Sequence, residues 1–215
     1  MNKEMIGMSK WMLSLILLLS LAAASPLAAD DAIEGRSGRA EVRFLQGMID
    51  HHQMALDMAN DCLDKAQSAS VIQVCQAVIE AQSAEIEQMR GWLLDWYGIT
   101  YTPMSMIEML SMMDVPQSAG HSAGGHQAHG APPAVVTDPP MMMGMFAGFN
   151  RLKGAAYETA WLESMIDHHD DALHMAQRIQ RIGQHPLLLD LAQAIIDAQT
   201  AEIAHMETLL TQTGG

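Results

Sequence analysis

Apolar residues recur at spacings of three and four along residues 44–98, the period of helices with one buried face. Phe44, Leu45, Met48, Ile49, Ala55, Leu56, Ala59 and Leu63 mark a first helix. After a turn at Gln67–Ser70, a second is marked by Val71, Cys75, Val78, Ile79, Gln82, Ile86, Met89 and Leu93. Gly98 stands where a helix-ending glycine is expected. The pattern returns in residues 161–215, where Gly183 to Pro186 makes the turn and Pro186 suits the first turn of a helix. No stretch alternates convincingly enough to read as a strand, so the pattern predicts an all-α chain.

The two stretches are copies. Residues 44–98 align without a gap onto 161–215 at an offset of 117, with 22 of 55 positions identical. That is a duplication. Two helical hairpins joined by a long connection predict a four-helix bundle of the ferritin-like kind, with one crossover. The expected organisation is a flexible N-terminus at 30–40, a first hairpin at 41–98, a connection at 99–150 and a second hairpin at 151–215. Cys62 and Cys75 lie equally far from the centre of the first turn, so they sit at equal height on antiparallel arms and predict a disulfide there. The second copy has Ile179 and Ala192 at these places, so the unit does not depend on the bond.

The N-terminus has a different pattern. Lys3 and Lys10 precede an apolar run from Trp11 to Leu21 and then Ala22, Ala23 and Ala24, which reads as a secretory signal over residues 1–29, cleaved after Ala24 or Ala29. The run is short for a transmembrane helix, so the mature chain is expected to be periplasmic or secreted, without stable membrane insertion. Loss of that segment removes two cations and one anion, taking the net charge from −14 to −15. Such acidity argues against nucleic acid as a partner, because neutralising phosphates needs a basic face. Two cysteines exclude a disulfide scaffold and a four-cysteine zinc site.

Composition brings in chemistry through 20 Met and 10 His. Four Met belong to the signal, and nine crowd residues 104–145 of the connection. There Met141, Met142 and Met143 follow His121, His126 and His129, all set among Gly, Ser, Ala and Pro. The remaining Met, Met54 apart, are repeated: Met48, Met58 and Met89 match Met165, Met175 and Met206. On a helical wheel Met48, His51 and Met58 share one arc around Ala55, and Met165, His168 and Met175 do the same around Ala172. His52 and His169 diverge from their neighbours by about 100°, so one imidazole of each pair is expected to face the bundle and the other a different site. Thioether sulfur is soft and suits Cu(I) and Ag(I); imidazole adds affinity for Cu(I), Cu(II) and Zn²⁺. The mixed set therefore predicts copper, with silver as its mimic. Asp50 and Asp167 are candidates for fixing an imidazole tautomer or for plain hydrogen bonding.

The motifs F-L-Q-G-M-I-D-H-H-Q-M-A-L-D-M-A at 44–59 and W-L-E-S-M-I-D-H-H-D-D-A-L-H-M-A at 161–176 resemble a ferritin-like "domain of unknown function" family that includes the CopM copper-binding proteins. A-Q-S-A-E-I-E-Q-M and A-Q-T-A-E-I-A-H-M extend the resemblance through both repeats. It implies a helical bundle, export, and Cu(I) or Ag(I) held by Met48, His51, His52, Met58 and Met89 and by Met165, His168, His169, Met175 and Met206. The resemblance does not reach His121, His126, His129 or Met141–Met143, whose expected role as further, weaker ligands rests on composition. Binding without catalysis is the expectation, with a periplasmic copper exporter or chaperone as the partner. A di-iron or copper oxidase is the first alternative. A di-iron site wants paired Glu-x-x-His, and Glu202-x-x-His205 is matched only by Glu85-x-x-Gln88. A bundle in which Met and His merely pack is the second alternative.

Overall fold

The computed structural model describes residues 32–103, 105 and 148–213. Within them the chain forms four helices and no strand: α1 (Gly35–Lys65), α2 (Ala69–Tyr97), α3 (Ala155–Gln180) and α4 (Pro186–Thr213). The all-α bundle read from the sequence is what forms. Residues 1–29, read above as a secretory signal, and most of the connection, with His121, His126, His129 and Met141–Met143, lie outside the described residues.

The breaks between helices follow local chemistry. α1 ends at Lys65, a cation in the last turn that favours the negative end of the helix dipole and pairs with Asp61 at 2.6 Å. α2 stops at Gly98, whose left-handed φ of 65° lets the Gly98 and Ile99 N–H groups bond back to Leu94 and Leu93. α4 starts on Pro186. α1 begins at Gly35, inside the stretch 30–40 expected to be flexible; Gly38 and Ala40 are buried there, which ties the first turns to the fold.

α1 packs on α2, α3 on α4, and α1 on α3. The first two are the hairpins; the third joins them. α1 and α3 run antiparallel, because Glu41 near the start of α1 meets Gln184 and His185 beyond the end of α3, while Glu158 near the start of α3 meets Gln67 and Ser68 beyond the end of α1. α2 and α3 therefore run in the same direction. The end of α2 and the start of α3 thus lie at opposite ends of the bundle, roughly 45 Å apart on the scale of a 31-residue helix.

Two apolar clusters form the core. One gathers Phe44, Leu45, Met48, Met89, Leu93, Trp96, Met175 and Ile195. The other gathers Met54, Met58, Val78, Tyr157, Trp161, Leu162, Met165 and Met206. The Cys62–Cys75 disulfide, Cα atoms 6.3 Å apart, closes the end of the first hairpin and belongs to the second cluster. Trp161 is fully buried and donates its indole N–H to the Met58 carbonyl, at 2.9 Å, across the hairpin interface.

Candidate metal centre

The duplication becomes a spatial relation at the waist of the bundle, where α1 crosses α3. His51 and His168 meet there, with ring centroids 3.7 Å apart, and His168 Nε2 donates to the His51 carbonyl at 2.9 Å. His52 and His169 sit 6.3 and 6.0 Å from their sequence neighbours, centroid to centroid. Both members of each pair are buried in the bundle, and the two members face different neighbouring helices. The reason is that α1 has two helical neighbours. Its two imidazoles diverge by about 100°; His51 meets α3 and His52 meets α2. α3 is placed likewise, with His168 on α1 and His169 on α4.

Each outer imidazole is held by a carboxylate. Nε2 of His52 lies 2.6 Å from Glu85, and Nε2 of His169 lies 2.8 Å from Glu202. Asp50, a candidate for that duty, accepts instead from the Tyr101 hydroxyl. Burial, then the neighbouring His52 and His169, holds His51 well below the ordinary imidazole pKa. Burial, then His51 and His169, does the same to His168 against the opposing effect of its bond to the His51 carbonyl. Both inner rings are neutral near pH 7, the state in which imidazole ligates a metal. Nδ1 of all four imidazoles, and Nε2 of His51, is buried with no hydrogen-bond partner among the described residues.

The methionines flank this waist. Met48 and Met89 of the first copy share a cluster with Met175 of the second; Met165 and Met206 of the second share the other with Met58 of the first. The structure thus brings these six Met into two mirrored sets of three, each drawn from both copies. All are buried core side chains. Among the described residues no group of three or more His, Cys, Asp and Glu has the geometry to hold a metal ion.

Sequence reasoning missed several polar residues. Glu41 is buried and accepts from Tyr97 Oη, the Gln184 and His185 N–H groups and His185 Nδ1. Its mate Glu158 accepts from the Gln67 and Ser68 N–H groups, both at 2.7 Å. Each copy thus caps the turn of the other. The offset of 117 relates Glu41 to Glu158 and could have revealed them, since they stand just ahead of the aligned block. Gln82 and Gln199 are also buried, with amide atoms lacking a partner among the described residues.

Comparison with known proteins shows the family and the fold. The family described as Domain of unknown function (DUF305) matches residues 41–210. The chain belongs to the DUF305 family. No curated protein matches it. Among solved structures, the DUF305 chain resembles CopM in the Cu(II)-bound form, at 24% identity and a TM-score of 0.57, over 80% of this chain and 96% of that one. It resembles a DUF305 fragment from Deinococcus radiodurans at 24% identity and a TM-score of 0.59, over 85% and 99%. A DUF305 protein from Streptomyces coelicolor, proposed to be secreted, follows at 23% and 0.59, over 82% and 93%. At these identities the likeness is one of fold. No helix among the described residues of this DUF305 protein is long and apolar enough to cross a membrane.

Proposed function

We propose that this protein is an exported copper-binding protein that holds Cu(I), and Ag(I) in its stead, through Met and His of the bundle. It sequesters or relays the ion and so contributes to metal tolerance. One observation carries the reading: four buried imidazoles whose Nδ1 atoms have no partner among the described residues gather at the waist, flanked by two mirrored sets of three Met. A buried polar atom without a partner is costly, and four of them at repeated positions favour a ligand that completes them. The donor set is soft and neutral, which suits Cu(I) and Ag(I) and not Mg²⁺ or Ca²⁺.

Two further observations support it. CopM, similar in fold, is known in Cu(I)-bound and Ag-bound forms as well as the Cu(II)-bound form. The signal-like N-terminus and the Cys62–Cys75 disulfide suit an oxidising compartment, where thioethers replace thiolates as soft ligands. His121, His126, His129 and Met141–Met143 supply further, weaker sites in the connection. A periplasmic copper exporter or chaperone would receive or deliver the ion.

The test is competition for Cu(I) against a colorimetric chelator. The protein should withdraw Cu(I) from the chelator, and Met48→Leu with His51→Ala should weaken that withdrawal. An unchanged chelator signal with the wild-type protein overturns the reading. Bound iron on elemental analysis, or oxygen consumption with a reduced metal, would favour an oxidase. Identical melting curves with and without copper would favour a bundle in which Met and His only pack.

A further inference from the structure

The repeated His–Glu contacts specify which nitrogen a metal would meet. We propose that Glu85 and Glu202 are positioning residues, which hold His52 and His169 so that each imidazole presents Nδ1 to a soft ion in the bundle. The proposal rests on the copper-binding reading above and deepens it.

A carboxylate can only accept, so the ring nitrogen facing it, Nε2 in both copies, carries the proton. In the neutral imidazole this leaves the lone pair on Nδ1. That atom is buried in both rings and has no partner among the described residues. A carboxylate on one nitrogen with a metal on the other is the common arrangement of ligating histidines. The partner fixes the tautomer and raises ligand basicity.

Packing alone accounts poorly for these residues. An apolar side chain would fill the position of His52 or His169 without stranding a nitrogen. The polar interior also extends one helical turn further. The His52–Glu85 contact and the disulfide set the register of the first hairpin, and this puts Gln82 level with the small Ala55. The His169–Glu202 contact puts Gln199 level with Ala172 in the same way. Both amides are buried and carry atoms without a partner among the described residues. Mirrored polar groups beside mirrored imidazoles point inward from both hairpins to the same chemistry. Glu85 and Glu202 are themselves only partly buried, with 18% and 17% of their side chains exposed. Their charge is thus hydrated on one side while it orients a buried ring on the other.

The experiment is nitrogen NMR of ¹⁵N-histidine-labelled protein titrated with Ag(I), whose nuclei couple to a bound nitrogen. The expected result is a shift and silver splitting at Nδ1 of His52 and His169, with Nε2 still protonated. Glu85→Leu with Glu202→Leu should lower Ag(I) affinity roughly 10–100-fold and release the preference for Nδ1. Glu85→Gln with Glu202→Gln, whose amide oxygen still accepts from Nε2, should restore Nδ1 ligation. Splitting at Nε2 in the wild type, or silver-independent His52 and His169 resonances while Ag(I) binds elsewhere, overturns the positioning role and leaves the copper reading standing. Absence of Ag(I) uptake overturns both.

Discussion

A buried carboxylate that accepts four hydrogen bonds is costly to disturb, and Glu41 is such a group. Removing it strands the Gln184 and His185 N–H groups, the His185 ring and the Tyr97 hydroxyl together, whereas removing Glu158 strands two N–H groups. Glu158→Ala should therefore cost about 2 kcal/mol and Glu41→Ala distinctly more. Chemical denaturation checks this, and equal losses would sink the account. The same residues set the response to acid. Burial alone would raise the Glu41 pKa, but hydrogen bonds from Tyr97, Gln184 and His185 outweigh it and hold the carboxyl below its ordinary 4.5. Its contribution to stability is thus present above that pH and lost as pH falls through the folded value. His51 and His168, kept neutral below the unfolded value of 6.5, act earlier. Below pH 6.5 the unfolded chain binds protons that the folded one refuses. The urea midpoint of the metal-free protein should therefore decline from pH 7 to pH 5, and His51→Leu with His168→Leu should flatten that decline.

The four helices themselves were legible, because amphipathic periodicity and helix-ending signals such as Gly98 and Pro186 act within a few residues of sequence. The disulfide was legible for the same reason: a hairpin turn fixes which residues lie level across it. Its effect is therefore local to the first hairpin. Closing a loop with a sequence separation of 13 should stabilise the protein by about 3 kcal/mol. Cys62→Ala with Cys75→Ala should lower the denaturation midpoint accordingly while leaving Ag(I) uptake intact, since His52 and His169 are held by Glu85 and Glu202 and not by the disulfide. Loss of Ag(I) uptake in that double variant would place the site nearer the disulfide than the waist.

At the scale of the whole molecule, each hairpin's turn is capped by a carboxylate of the other, so neither copy is complete alone. Unfolding of the metal-free protein should be a single calorimetric transition. Ag(I) at 100 times its dissociation constant should add about 2.7 kcal/mol, and Ca²⁺ should add nothing measurable. Two resolved transitions would contradict the reciprocal capping. The sequence by itself determined four helices, their duplication, the disulfide and the residue types suited to soft metals, all of which depend on short-range periodicity or on matching one copy to the other. Which side of α1 faces α3, and therefore that His51 meets His168 while His52 meets Glu85, only the tertiary structure decided. So too with the exchange of Met175 and Met58 between copies, and the reach of Glu41 to Gln184. The physical reason is that periodicity says how wide a buried face is. Which neighbour covers each part of that face is decided by the packing of four helices at once.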